Sequence, residues 1–226
     1  MSERLAVLLS GEVVGHLERA GPGSDPVFAY TADYVRSGAV ALSAALPISA
    51  ARHSGKRLGA YLAGLLPESD AARAAWAGRL GVAADDVFGT LGQMGWDCAG
   101  AVQFCREGQL DELRSRAAEF EPIGEAEIAA RLRGLADGEA SWTLPGEHWS
   151  LGGQQQKLAL ARVEGRWHAA HGSAPTTHII KPGIARLHHQ ALVEHATMAA
   201  AASVGVVAAP TAFERFEDQW AIVVRR

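Results

Sequence analysis

The chain of 226 residues is long enough for one large domain or two small ones, each with a hydrophobic core. Hydrophobic residues make up 48% of it and charged residues 20%, a globular composition that excludes a largely disordered chain. The 21 Lys and Arg residues and the 25 Asp and Glu residues give a formal net charge of -4. This balance does not favour direct binding of nucleic acid through bulk positive charge.

Cysteine usage and hydropathy predict a cytoplasmic protein. The two cysteines, Cys98 and Cys105, are too few for a disulfide scaffold and fit no metal-binding spacing, so we expect reduced thiols. We expect no signal peptide, because the first residues lack its hydrophobic region. The longest apolar stretch, residues 196–210, is shorter than the roughly 20 residues of a membrane helix. We therefore expect no membrane partner.

The first part of the chain predicts a hairpin and then helices. Apolar residues at 5–9 and 13–17 flank a turn that contains Gly11. After a loop rich in Gly and Pro at 21–26, alternation at 28–30 predicts a short strand. Apolar spacing then predicts helices near 56–66, from the N-cap Ser69 to before Gly81, across 87–94 and across 124–135, and it predicts a strand at 101–105.

Residues 142–149 interrupt this periodicity and divide the chain into two predicted domains, 1–140 and 141–226. In the second domain the order of predicted elements is strand, strand, strand, helix, strand, strand, with the helix at 188–204. The predicted fold class is α+β, with an antiparallel sheet and one helix packed on it in the second domain.

The most informative segment is 150–157, which reads Ser-Leu-Gly-Gly-Gln-Gln-Gln-Lys and precedes a strand. Adjacent glycines let the backbone approach a ligand and turn N–H groups toward an anion such as polyphosphate. An ordinary glycine turn is the alternative. Lys181 ends the third strand after this loop and a helix follows, as in protein kinases, where a third-strand lysine contacts ATP phosphates. A solvated strand end is the alternative for Lys181.

Several segments of this chain resemble the HipA family of bacterial serine/threonine kinases, the toxins of type II toxin–antitoxin pairs. The resemblance is carried by Asp-Cys-Ala-Gly-Ala-Val-Gln at 97–103, Ser-Leu-Gly-Gly-Gln at 150–154 and Gly-Ser-Ala-Pro-Thr-Thr-His-Ile-Ile-Lys-Pro at 172–182. Leu-Leu-Pro-Glu at 65–68 and the opening hairpin also match, so the resemblance covers nearly the whole chain. It implies a HipA-type N-terminal subdomain followed by a kinase-like small lobe.

The resemblance also implies roles for individual residues. Ser150 matches the serine that family members phosphorylate on themselves, which expels the loop and inactivates the kinase. Family toxins phosphorylate a protein, an aminoacyl-tRNA synthetase in the best-known case, and are restrained by a HipB-like helix-turn-helix antitoxin. The residues expected to bind ATP are Gly152, Gly153, Gln154, Gln155, Gln156, Lys157 and Lys181.

The sequence departs from the family pattern in the helix after the lysine and at its end. The helix carries His195-Ala196 where the family commonly has Asn-Glu, so Glu194 is the substitute partner for Lys181. The chain stops at Arg226, where the family continues into the helical lobe that supplies the catalytic aspartate and the magnesium ligands. We therefore expect no catalytic residue here, weak ATP binding, magnesium only with the other lobe, and no phosphoryl transfer by this polypeptide alone.

Two functional classes stay open. The chain is either the N-terminal part of a kinase or a non-catalytic binding module that engages an antitoxin or a full-length toxin. A separate catalytic lobe is a further expected partner in the first case. A zinc site at His188, His189 and His195 is disfavoured, because adjacent helix residues point about 100° apart. We expect no metal site.

Overall fold

The computed structural model describes residues 2–37, 40–50, 52–115, 119–136, 143–144, 146–184 and 186–226. The chain forms two compact units, Met1–Ala117 with His148–Gln154, and Ala118–Glu147 with Gln155–Arg226. In chain order the elements are β1 Glu3–Leu9, β2 Glu12–Arg19, β3 Val27–Tyr30, α1 Ala32–Arg36, α2 Gly55–Ala63, α3 Asp70–Leu80, α4 Val87–Met94, β4 Asp97–Cys98, β5 Val102–Arg106, α5 Leu110–Ser115, β6 Glu119–Pro122, α6 Glu125–Ala136, β7 Trp149–Ser150, β8 Leu158–Val163, β9 Arg166–His171, β10 His178–Pro182, α7 Gln190–Ser203, β11 Thr211–Phe216 and β12 Gln219–Arg225.

The first unit is built on an antiparallel four-stranded sheet in the order β3-β2-β1-β5. Side chains alternate between the two faces of a strand, and β1 is buried on both of them. Leu5 and Val7 lie in the larger core, while Ala6 and Leu8 lie in a second core on the other face. The β1–β2 turn places Ser10 and Gly11 at positive φ, which confirms the predicted hairpin.

The helix boundaries in the first unit follow the predicted capping residues. The Ser69 hydroxyl accepts a hydrogen bond from the Ala72 N–H at the start of α3. Gly81 ends the same helix with φ 66, a left-handed conformation that favours glycine. The predicted helices at α2, α3 and α4 and the strand β5 are confirmed, whereas α1 and α5 were not predicted.

The second unit contains a six-stranded antiparallel sheet in the order β11-β12-β10-β8-β9-β6. Its central strand β8 buries four consecutive residues, Leu158, Ala159, Leu160 and Ala161, each 0% exposed. Such a run requires cover on both faces of the sheet. The predicted order of three strands, one helix and two strands is confirmed by β8 to β12 with α7 between β10 and β11. The α+β class and the antiparallel sheet are confirmed as well.

The second unit begins earlier in the chain than the predicted boundary between residues 140 and 141. Strand β6 pairs with β9, and the Ile123 N–H donates to the Trp167 carbonyl at 3.0 Å. The side chains of Ile128 and Leu132 in α6 are fully buried. Two helices, α6 and α7, therefore belong to this unit instead of the single predicted one. Trp142 and Pro145, on which that boundary depended, lie outside the described residues.

The segment 148–154 belongs to the first unit, although it follows part of the second in sequence. Strand β7 pairs in parallel with β4, opposing Trp149 to Asp97 and Ser150 to Cys98. The imidazole Nδ1 of His148 lies 2.8 Å from the Gln93 carbonyl. Within the ranges that the structure describes, no helix is long and apolar enough to cross a membrane.

Candidate functional site

Lys181 and Glu194 form an ion pair in the second unit. Lys181 lies near the end of β10, opposite Ile222 of β12. Its Nζ donates to the Glu194 Oε1 at 2.8 Å, and the two side chains are 21% and 23% exposed. The pair connects β10, which is the third strand after the glycine loop, to α7, which is the next helix in the chain. Glu194, which the sequence analysis offered as a substitute, is therefore the residue on the following helix that pairs with Lys181.

The neighbouring His195 has a different partner. Its Nδ1 lies 2.8 Å from the Thr211 hydroxyl at the start of β11. His188 and His189 precede α7 with ring centroids 6.4 Å apart. Across the described part of the chain, no group of three His, Cys, Asp or Glu side chains is placed to hold a metal ion.

Two glutamines extend the ion pair into a longer hydrogen-bonded chain. Gln190 lies one turn before Glu194 on α7, and its Nε2 donates to the Glu194 Oε2 at 2.9 Å. The Gln155 Nε2 donates to the Gln190 Oε1 at 3.1 Å and to the Pro182 carbonyl at 3.0 Å. The structure thus brings Gln155 of the predicted loop to the Lys181 pair.

The other loop residues are placed differently. Gln154 is exposed and Gln156 is half-buried, while Lys157 is only 4% exposed. Gly152 and Gly153 belong to the first unit, and Lys181 belongs to the second. That the two glycines and Lys181 share one phosphate pocket therefore stays a prediction, as does a phosphate-binding role for Lys157.

The glycine pair packs closely against the backbone that follows α2. A Cβ on Gly152 would lie 2.2 Å from the Gly64 carbonyl oxygen, so only glycine fits there. Gly153 has φ 98, and its carbonyl accepts a hydrogen bond from the Glu68 N–H at 3.1 Å. In this state the close backbone approach that the glycines permit is made to the protein itself.

Ser150 is fully buried, with an exposed fraction of 0%. Its hydroxyl donates to the Leu65 carbonyl at 2.7 Å. A phosphoryl donor can reach this oxygen only after the segment leaves its position, since the hydroxyl is covered and its proton is already donated. The structure therefore places Ser150 as a structural hydroxyl in the unmodified chain.

A cavity of about 500 Å³ opens at the start of α7. Its walls include Leu187, Leu192, Phe213, Trp220 and the side of Gln190. Neither Lys181 nor a residue of the glycine loop lines it. It therefore adjoins the Lys181 cluster at Gln190 but contains none of the residues that the sequence predicts to bind phosphate.

Gln190 is the member of this cluster that sequence reasoning missed. The signal that could have found it is its spacing, because residues four apart on a helix face each other. Gln190 precedes the predicted lysine partner Glu194 by one helical turn.

Two family models match the chain. The HipA N-terminal domain matches residues 5–105, and the HipA-like C-terminal domain matches residues 149–226. The match to the second model begins at Trp149, next to the predicted loop.

Individual relatives agree with these matches. Y4mE of Sinorhizobium fredii, named as a candidate kinase, is 32% identical over 209 residues, which cover 91% of this chain and 49% of that protein. The serine/threonine-protein kinase toxin HipA of Shewanella oneidensis is 29% identical over 204 residues, 87% of this chain and 43% of that protein.

A solved structure shares the fold. HipA of Shewanella oneidensis, in a complex with HipB and operator DNA, superposes with a TM-score of 0.78 at 26% identity. The match covers 98% of this chain and 50% of that chain. The chain thus spans about half the length of the relatives it matches. With both family models matched and HipA proteins similar in sequence and fold, the chain belongs to the HipA family.

Proposed function

We propose that this chain is the N-terminal part of a HipA-type serine/threonine protein kinase and that its second unit binds the phosphates of ATP. The observation that carries the proposal is the Lys181–Glu194 ion pair at 2.8 Å. In protein kinases, a lysine on the third strand contacts the nucleotide phosphates and is held by a glutamate on the next helix. The same two residue types stand here on β10 and α7.

The residues fit a phosphate group. The Lys181 ammonium has three N–H donors, and one of them is donated to Glu194. Because 21% of the side chain is exposed, phosphate oxygens can approach the remaining donors. Bound ATP would supply the phosphoryl group, while Lys181 would hold the phosphates and Glu194 would orient the ammonium.

The activity of the whole protein is the transfer of that phosphoryl group to a serine or threonine of a protein substrate. Transfer needs a positioned acceptor and metal ions that neutralise the developing charge. In the family these come from the helical lobe, and the chain matches about half of its relatives' length. We therefore infer that the 226 residues alone bind ATP weakly and transfer no phosphoryl group, and that they work in the cytoplasm.

The test is a nucleotide titration and a phosphorylation assay on the purified 226-residue chain. We expect weak ATP binding by calorimetry, loss of binding in Lys181→Met, and no label incorporated from radioactive ATP with magnesium. Lys56→Met, at an exposed position of the first unit, should bind as the wild type does. Equal binding in Lys181→Met would remove Lys181 from the site, and label on Ser150 or on a protein substrate would show that the chain is active alone.

A non-catalytic binding module is the second candidate. It is favoured by the solved relative, in which HipA is bound to HipB and operator DNA. In this case the chain would engage a HipB-like helix-turn-helix antitoxin or a full-length HipA-type toxin without handling ATP. Size-exclusion chromatography with a HipB-type antitoxin tests it, and co-elution together with an absence of Lys181-dependent ATP binding would favour the module over the kinase.

A further inference from the structure

Four side chains of the second unit form one continuous hydrogen-bonded chain, in the order Gln155, Gln190, Glu194 and Lys181. The three links measure 3.1 Å, 2.9 Å and 2.8 Å. This series of hydrogen bonds begins in the loop before β8, crosses two successive turns of α7 and ends on β10. It therefore connects three separate elements through side chains alone.

The direction of each hydrogen bond is fixed by groups that can only accept. The Pro182 carbonyl accepts from Gln155, so that amide must present its NH₂ group there. The Glu194 carboxylate accepts from both Gln190 and Lys181. Gln190 must then present its NH₂ to Glu194 and its carbonyl to Gln155, which matches the observed geometry. No other orientation of the two amides satisfies all of these partners.

We propose that Gln155 is a positioning residue, which acts through Gln190 to hold Glu194 against Lys181 and so couples the loop to the phosphate-binding lysine. The relevance of this coupling to catalysis rests on the proposed function, whereas the coupling itself does not. The Gln155 amide also holds the carbonyl of Pro182, the residue directly after Lys181. One side chain thus contacts both the strand and the helix that carry the ion pair.

Gln155 acts on the orientation of the Glu194 carboxylate. Glu194 uses one carboxylate oxygen for Lys181 and the other for Gln190. A long, partly exposed side chain samples several rotamers unless both ends of its polar group are held. Removal of Gln155 frees the Gln190 carbonyl, Gln190 then leaves Glu194, and the Lys181 ammonium becomes less restrained.

The first experiment measures acylation of Lys181 by a sulfonated N-hydroxysuccinimide ester, followed by peptide mass spectrometry on the folded 226-residue chain. Exposed Lys56 is an internal reference in the same molecule. We expect the Lys181 rate relative to Lys56 to rise about fivefold in Gln155→Leu and in Gln190→Leu, a size typical of one lost hydrogen bond. The double variant should match either single variant, because both changes break the same link.

Two further variants separate positioning from packing. Gln155→Glu keeps the side-chain size but removes the amide donors, so a packing role predicts the wild-type rate and a positioning role predicts the rate of Gln155→Leu. Gln219→Leu makes the same chemical change at the start of β12, where the amide donates to Asp218, and should leave the rate unchanged. If circular dichroism shows that Gln155→Leu is unfolded, Gln155→Met takes its place.

The second experiment is an ATP titration of the same variants. We expect Gln155→Leu to weaken ATP binding about threefold to tenfold. An unchanged Lys181 acylation rate in Gln155→Leu and Gln155→Glu would overturn the positioning role, whatever the titration shows. Raised acylation without any Lys181-dependent ATP binding would uphold the coupling and refute the proposed function instead.

Discussion

At the residue scale, the ion pair between Arg131 and Glu147 is deeply buried in the second unit. Its side chains are 9% and 0% exposed, and the guanidinium makes two hydrogen bonds of 2.9 Å and 3.0 Å to the carboxylate. Glu147 also accepts from the Leu144 N–H at 3.0 Å. Removal of the guanidinium takes two charge-assisted hydrogen bonds away from a fully buried carboxylate, which is costly in a medium of low dielectric constant.

We predict that Arg131→Met lowers the free energy of unfolding by about 3–5 kcal/mol, measured by urea denaturation. Arg133→Met is the matched control on the same helix, because Arg133 pairs with Asp218 at the surface, where solvent screens the charges. The control should unfold at nearly the wild-type urea concentration. A similar loss in both variants would mean that burial of the Arg131 pair contributes nothing.

Single residues also show what the sequence can predict about the candidate site. Lys181 could be predicted, because it stands at the end of an apolar strand and within a specific family string. Glu194 was named only as a substitute, since 13 residues and a loop separate it from the lysine and helix phase decides its direction. The link from Gln155 to Gln190 could not be predicted, because it depends on how the loop packs on α7.

At the scale of elements, the close packing of Gly152 on the segment after α2 gives a direct test of the loop position. A Cβ at residue 152 would lie 2.2 Å from the Gly64 carbonyl oxygen, so one backbone must shift. We predict that Gly152→Ala lowers the free energy of unfolding by about 1–3 kcal/mol. Thermal and urea unfolding measure the change.

Gly59→Ala provides the opposite expectation in the same unit. Gly59 lies inside α2 with nothing within 4 Å of its added Cβ. Alanine is the better helix former, so we expect a gain of about 0.5–1 kcal/mol. A Gly152→Ala variant as stable as Gly59→Ala would contradict the observed packing of the loop.

The N-terminus of α4 predicts a pH dependence. Burial acts to raise the pKa of Asp86, but hydrogen bonds from Arg19 and from the Gly89 N–H outweigh it and hold this pKa below the ordinary value of 3.8. Because the pKa of Asp86 is lower in the folded state than in the unfolded state, its ionised carboxylate stabilises the fold. This stabilisation is complete above pH 3.8 and is lost as the pH falls through the pKa of the folded state.

We predict that Asp86→Asn is less stable than the wild type at pH 7 and that the difference shrinks as the pH falls below 3.8. Asparagine can still cap the helix, so the change isolates the charge opposite Arg19. Urea unfolding across a pH series measures the difference. A gap of constant size at every pH would show that the carboxylate charge is not its cause.

Elements with strong local signals were predicted and weak ones were not. The hairpin turns place Ser10 with Gly11, and Glu164 with Gly165, at positive φ. A glycine between two apolar runs predicts this geometry from the sequence. Strand β6 has only four residues and no apolar alternation, and it exists because β9 offers an edge. The two-residue pairing of β4 with β7 is likewise a tertiary effect.

At the scale of the whole molecule, the predicted domain boundary was based on residues that interrupt the local periodicity of the sequence. The structural units are instead defined by which segments pack together. The break in periodicity near residue 145 lies between α6 and β7, but the segments before and after it do not match the two sides of the predicted boundary. The apolar side of α6 is buried in the second unit, and 148–154 is paired in the first. A chain that crosses between the units three times cannot be divided correctly by one cut.

The exposed apolar surface at the start of α7 predicts self-association. Leu187, Leu192 and Trp220 line one cavity and are 50%, 42% and 51% exposed. Clustered apolar side chains of this kind favour association more than isolated ones do. We expect the sedimentation coefficient to rise with protein concentration.

Leu192→Lys should suppress this rise, because a charge in the cavity wall opposes burial of the surrounding apolar area. Leu144→Lys is the matched control, since Leu144 is 39% exposed and does not line the cavity. It should associate as the wild type does. A wild-type protein that stays monomeric at high concentration, or equal suppression by the two lysine variants, would show that this surface does not drive association.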